Sequence, residues 1–125
     1  MSKRVMIVDD SREVREIVTF VLQSNGFEVV EAASGAQLQQ FLTSEQEELP
    51  DLIILDVMMP GEDGFHICSS LRTNVYTRHI PVMIITAHAE DIYQRISVDL
   101  GAASHMTKPF HPLELAERVK QLLGQ

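Results

Sequence analysis

The sequence predicts an α/β fold, a doubly wound sandwich in which a five-stranded parallel sheet carries helices on both faces. Three observations carry this expectation. Five short apolar runs recur along the chain, their apolarity is continuous, and a segment of helical period follows each one. Continuous rather than alternating apolarity means that both faces of a strand are buried, the condition of a parallel sheet between helical layers. Crossovers between parallel strands are nearly always right-handed, and in such sheets ligands bind at the carboxyl ends of the strands.

The runs are Val5 to Val8, Phe27 to Val30, Leu52 to Leu55, Pro81 to Ile85 and the weaker Ser104 to Thr107. In the first helical segment Val14, Ile17, Val18, Val21 and Leu22 share one face, with Ser11 placed to cap its start and Gly26 to close its end. The second opens on Ser34 and Gln37, a capping box, and sets Leu38, Phe41 and Leu42 on one side. The third follows Asp63-Gly64 and carries Phe65, Cys68 and Leu71. A fourth places Ile92, Ile96 and Leu100 inward and stops at Gly101, and a fifth starts at Pro112 and buries Leu115, Val119 and Leu122.

With 125 residues the chain fits one domain, residues 1–125, with no room for a separate output domain. Hydrophobic residues at 45% and charged residues at 22% give an ordinary globular balance. The net charge of −8 works against a grip on nucleic acid, which needs clustered Lys and Arg. No apolar run approaches a membrane span, and the N-terminus reaches Asp9 and Asp10 too soon for a signal peptide, so a cytoplasmic location is expected. The single cysteine, Cys68, lies at core spacing and reads as an inert buried thiol.

Polar residues follow the apolar runs in a pattern. Asp9 and Asp10 end the first strand, Asp56 the third, Thr86 the fourth and Lys108 the fifth. Taken singly, each suits an ordinary turn, cap or solvated charge, but in a parallel sheet all these ends share one edge. Carboxylates crowded there repel one another, by about 4 kcal/mol per pair at an effective dielectric of 20, unless a cation offsets them. Hard oxygen donors without His or Cys select Mg²⁺ or Mn²⁺. Carboxylates, a hydroxyl and a lysine around such an ion are the parts of a phosphoryl-transfer site, and one carboxylate can be the nucleophile. Spacing alone does not show which.

The order Asp9-Asp10, then Asp56 in LDVMMPGEDG, then Thr86-Ala87 after VMII, then Lys108-Pro109-Phe110, resembles the receiver domains of bacterial two-component signalling, including the single-domain chemotaxis regulator. The resemblance covers the whole chain. It implies the flavodoxin-like strand order 2-1-3-4-5, with Asp56 as phosphoacceptor and Asp9, Asp10, Asp56 and the Met58 carbonyl as metal ligands. Thr86 becomes the switch hydroxyl and Lys108 the cation that pairs with phosphate. Such a protein is expected to be phosphorylated by a sensor histidine kinase or phosphotransfer protein. It then hands the signal to a protein target through the fourth helix, fifth strand and fifth helix. It acts on itself, with slow autodephosphorylation, rather than as an enzyme on a separate substrate.

The chain departs from the family pattern at His105, where receivers usually carry Tyr or Phe as the aromatic that turns inward. A histidine there can hydrogen-bond and titrate, so activation is expected to depend on pH between about 5.5 and 7.5. The second residues after the phosphoacceptor and after the switch threonine, Met58 and His88, are marked by the resemblance as tuning hydrolysis. The Met58 thioether cannot orient a water, so a long-lived phosphorylated state is expected. His66, His79 and His111 share no ligand spacing and read as surface or cap residues.

A phosphatase of the haloacid-dehalogenase type uses similar groups, but it places an Asp-x-Asp nucleophile first and its paired acids last, the reverse of this order. A receiver excised from a longer regulator or hybrid kinase, and a phosphorelay shuttle, stay open as alternatives. The KPFHPLELAERV stretch resembles the winged-helix transcription-factor branch, although Ala103-Ser104 stand where that branch usually has acidic dimerisation residues.

Overall fold

Branched apolar residues that cannot face water on either side form the middle of the sheet. In this computed structural model, which describes residues 2–125, the strands are β1 (Arg4–Val8), β2 (Glu28–Ala32), β3 (Leu52–Asp56), β4 (Val82–Thr86) and β5 (Ser104–Thr107). The helices are α1 (Arg12–Ser24), α2 (Gly35–Thr43), α3 (Gly64–Thr73), α4 (Asp91–Asp99) and α5 (Pro112–Leu122). All five strands pair in parallel in the order β2-β1-β3-β4-β5, the expected 2-1-3-4-5 arrangement.

Side chains alternate across the sheet. Met6, Val8, Ile53, Leu55, Val82 and Ile84 face one way, toward Leu38 of α2 and Cys68 and Leu71 of α3. Val5, Ile7, Leu52, Ile54, Met83 and Ile85 face the other way, toward Val18 and Leu22 of α1 and Leu115 and Val119 of α5. Every residue of β3 and β4 is buried, as the continuous runs require. Each Leu or Ile so enclosed contributes about 1.5–3 kcal/mol relative to exposure. Burial also pushes the Cys68 thiol pKa up, which keeps it an inert core group.

The caps fall where the sequence places them. Ser11 Oγ accepts from the Val14 N–H, and Gly26 follows α1 at φ 87°, a conformation natural only to glycine. Ser34 Oγ accepts from the Gln37 N–H, but Gln37 Oε1 takes the N–H of Ala33 rather than that of Ser34, so the box closes one residue further out. His111 Nδ1 caps α5 by accepting from the Leu113 N–H.

Two helix faces differ from expectation. Ile92 is 58% exposed and Ile96 and Leu100 only partly buried, because α4 rests on β5 through Ser97, which is 1% exposed. A serine can occupy that contact because its hydroxyl donates to the Tyr93 carbonyl (2.9 Å) and lies 2.8 Å from His105 Nδ1. On α1, Ile17 turns outward at 42% exposure, leaving Val18 and Leu22 as the buried positions.

Candidate functional site

The carboxyl ends of β1, β3, β4 and β5 bring Asp9, Asp10, Asp56, Thr86 and Lys108 to one edge of the sheet. Ligand oxygens of Asp9, Asp10 and Asp56 lie within 4.8 Å of one another. Asp9 is fully buried, Asp56 is 4% exposed, and Asp10 is exposed at the mouth. The Lys108 ammonium reaches Asp9 Oδ2 at 2.8 Å and Asp56 Oδ2 at 3.2 Å. Asp9 Oδ1 accepts from the Ser11 N–H and Asp56 Oδ1 from the Met58 N–H, both at 2.9 Å. Thr86 is fully buried, and its hydroxyl oxygen accepts from the His88 N–H at 3.1 Å. The Lys108 N–H donates to the Thr86 carbonyl at 2.7 Å, which ties the end of β5 to the end of β4, just before a cis Lys108–Pro109 bond.

Burial pushes the Asp9 carboxyl pKa up, a tendency that the Lys108 and Ser11 hydrogen bonds oppose and the Asp56 charge reinforces. Burial likewise works against the Lys108 charge, but its hydrogen bond to Asp9 and the charge of Asp56 outweigh this and raise its pKa. Lys108 therefore stays cationic between two carboxylates. Three carboxylates at 4.8 Å repel by roughly 3 kcal/mol per pair at an effective dielectric of 20, and one ammonium leaves the cluster with a formal excess of two negative charges. The donor set is oxygen only and each carboxylate keeps free lone pairs, so the residues present fit a small hard cation such as Mg²⁺ or Mn²⁺.

The loop after β3 is held from two sides. A Cβ added to Gly64 would stand 2.2 Å from Val57 Cα and 2.6 Å from the Val57 carbonyl oxygen, so α3 approaches the residue after Asp56 more closely than any side chain allows. Glu62 Oε1 accepts from the Gly35 N–H at 2.8 Å, joining the same loop to the start of α2.

This combination of parallel order, acidic cluster and edge lysine is matched by known proteins. The model for the response regulator receiver domain matches residues 5–120. The chain belongs to the response regulator receiver family. It is 38% identical over 123 residues to the phosphate regulon transcriptional regulatory protein PhoB of Klebsiella pneumoniae, covering 98% of this chain and 52% of that protein. The chain thus spans about half the length of the curated relatives it matches. A response-regulator structure from Chloroflexus aurantiacus superposes with a TM-score of 0.89 at 36% identity, covering the whole of both chains. The BeF3-activated receiver domain of DrrB from Thermotoga maritima does so with 0.87 at 27% identity over the full length of both. Among the described residues no helix is long and apolar enough to cross a membrane.

The structure also places the residues at which this receiver departs from the family pattern. His105, on β5, contacts Ser97 of α4, and its backbone carbonyl accepts from Arg118 of α5 at 2.6 Å. Met58 is 42% exposed beside Asp56. The His88 ring lies 4.8 Å from the Tyr93 ring and its Nδ1 3.5 Å from Glu90, turned toward α4. His66 and His79 are exposed. Sequence reasoning missed Gly64, Glu62, Ser97 and Arg15, whose side chain bonds the Asp9 carbonyl. Only Gly64 carried a signal, a glycine at the first turn of a helix where a better helix former is ordinary.

Proposed function

We propose that this receiver takes one phosphoryl group onto an Asp56 oxygen, from the phosphohistidine of a sensor kinase or phosphotransfer protein. The new O–P bond replaces the donor's P–N bond, and the imidazole leaves. The observation that carries this reading is the convergence of Asp9, Asp10 and Asp56 with Lys108 and Thr86 at one sheet edge. Asp9, Asp10, Asp56 and the Met58 carbonyl would hold Mg²⁺ or Mn²⁺, which when bound would supply positive charge to the transferring group. Asp56 is the nucleophile by its likeness to the receiver family's acceptor position; its Oδ2 shares the lysine and its Oδ1 accepts from the Met58 N–H, contacts that hold it in place. Lys108 moves from the carboxylates to the phosphoryl oxygens, and the Thr86 hydroxyl gives up the His88 N–H to reach one of them.

The protein is the substrate of its own chemistry and works in the cytoplasm. An apolar hollow of about 450 Å³, lined by Val14, Ile17, Ala87, Pro109 and Phe110 beside Lys108, suits an apolar surface of the donor protein at the mouth of the site. The output face is α4, β5 and α5, where His105 is the residue that changes position. Incubation with acetyl phosphate and Mg²⁺ should add one phosphoryl group by intact mass, and either EDTA or Asp56→Asn should abolish it. Labelling of Asp56→Asn at the native rate would show that the acceptor lies elsewhere.

A further inference from the structure

We infer that Arg15 is a positioning residue for the metal site, acting through the peptide bond between Asp9 and Asp10. This rests on the phosphoacceptor reading above. Arg15 is a helix residue whose side chain is only 16% exposed, although it carries a full charge. Its Nη1 donates to the Asp9 carbonyl at 2.8 Å, and its Nε pairs with Glu31 Oε1 on β2 at 3.2 Å. The guanidinium therefore bridges the edge strand and the acidic turn, two places that its fixed planar fork can hold at once.

The consequence falls on Asp10. Among the described residues no donor reaches the Asp10 carboxylate, whereas the carboxylates of Asp9 and Asp56 are each fixed by two hydrogen bonds. Asp10 is thus aimed by its backbone. That backbone begins at the Asp9–Asp10 peptide, which is planar, so a grip on the Asp9 oxygen also fixes the plane from which Asp10 departs. The other side of Asp9 is tied by its own N–H to the Ala32 carbonyl at 3.1 Å. With Ala32 and Arg15 holding the two peptides that flank Asp9, both carboxylates of the pair face the same point. Outer contacts that orient metal ligands typically change affinity by about 10–100-fold when removed.

The test reads metal binding without any phosphorylation, by water-proton relaxation during a Mn²⁺ titration of the native chain, Arg15→Met, Arg15→Lys and Glu31→Gln. Arg15→Met keeps the apolar stem and should weaken Mn²⁺ about tenfold. Arg15→Lys, with a point charge for a fork, should fall between it and the native chain. Glu31→Gln should weaken binding less, and add nothing in the Arg15→Met background. Acetyl phosphate labelling at saturating metal should stay within about twofold of native, since Asp56, Lys108 and Thr86 are untouched. Equal Mn²⁺ affinity in native, Arg15→Met and Glu31→Gln chains, with only the melting temperature lowered, would make Arg15 a structural tie and overturn the inference. Should Arg15→Met not fold, Arg15→Lys and Glu31→Gln decide on the same readout. A native chain that binds no Mn²⁺ would instead overturn the phosphoacceptor reading, and the inference with it.

Discussion

Replacing Gly64 by alanine should damage both stability and phosphorylation, because the added methyl has nowhere to go. Its carbon would lie 2.2 Å from Val57 Cα, 2.6 Å from the Val57 oxygen and 2.7 Å from the Val57 carbonyl carbon, all of them backbone. Ordinary contact between carbon atoms is about 3.5–4.0 Å, so α3 and the β3–α3 loop must separate by more than ~1 Å. Overpacking of this kind costs about 1–3 kcal/mol, and the helix preference of alanine over glycine returns up to ~1 kcal/mol, leaving a net loss near 1–2 kcal/mol. For a domain of this size that lowers the melting temperature by about 3–10 °C. The functional loss should be larger, since the displaced residue follows Asp56 directly. Misplacing a reacting group by about 1 Å can cost 10²-fold in rate. Urea denaturation and acetyl phosphate labelling, on the same preparation and with saturating Mg²⁺, measure the two effects. An alanine variant with native stability and native labelling rate would refute the argument that this contact sets the acceptor loop.

Burial, with the nearby Arg118 charge, pulls the His105 pKa below its ordinary 6.5, which moves its titration in the acid direction. The unfolded chain binds this proton at higher pH than the fold does; stability is therefore level above about 7 and declines as pH falls from ~6.5 toward the folded pKa. Urea midpoints of native and His105→Gln chains should diverge on acidification, with the native falling faster, and parallel curves would remove His105 as the cause. Phosphorylated lifetimes should shorten from native to Met58→Asn to Met58→Asn with His88→Glu, measured with Mg²⁺ at one pH. An amide at 58 can hydrogen-bond an attacking water, and a carboxylate at 88 is repelled by Glu90 from the place the imidazole now holds. Unchanged lifetimes would mean that neither side chain governs the water.

What the sequence could show depended on how local the cause was. β3 and β4 were legible because every residue in them is buried, and a run such as Leu52 to Leu55 has no other stable setting. The edge residues were legible for the same reason: once the strands are placed, Asp56, Thr86 and Lys108 can only fall at their ends. Ile92 and Ile17 were misplaced because helical period finds a face without saying what packs against it. Ser97 can take the inner position on α4 because the Tyr93 carbonyl and His105 on β5 satisfy its hydroxyl. Arg15 stands in no motif of the sequence. Its significance lies in a carbonyl six residues back, which local pattern does not register.

The contact between Ser97 and His105 couples the ring's tautomer to the serine's own hydrogen bond. A hydroxyl has one hydrogen, and the Tyr93 carbonyl, 2.9 Å from Ser97 Oγ, can only accept it. With its hydrogen given to Tyr93, Ser97 offers the imidazole only lone pairs, the arrangement in which Nδ1 of the neutral His105 carries the hydrogen and Nε2 is bare. A tyrosine or phenylalanine at this position has no such asymmetry. In this receiver the ring's contact with Ser97 therefore bears on its chemical state as well as its direction. Movement of the ring away from Ser97 would surrender that hydrogen bond and free the ring to change tautomer, so ring-nitrogen NMR shifts of His105 would report whether phosphorylation breaks the contact.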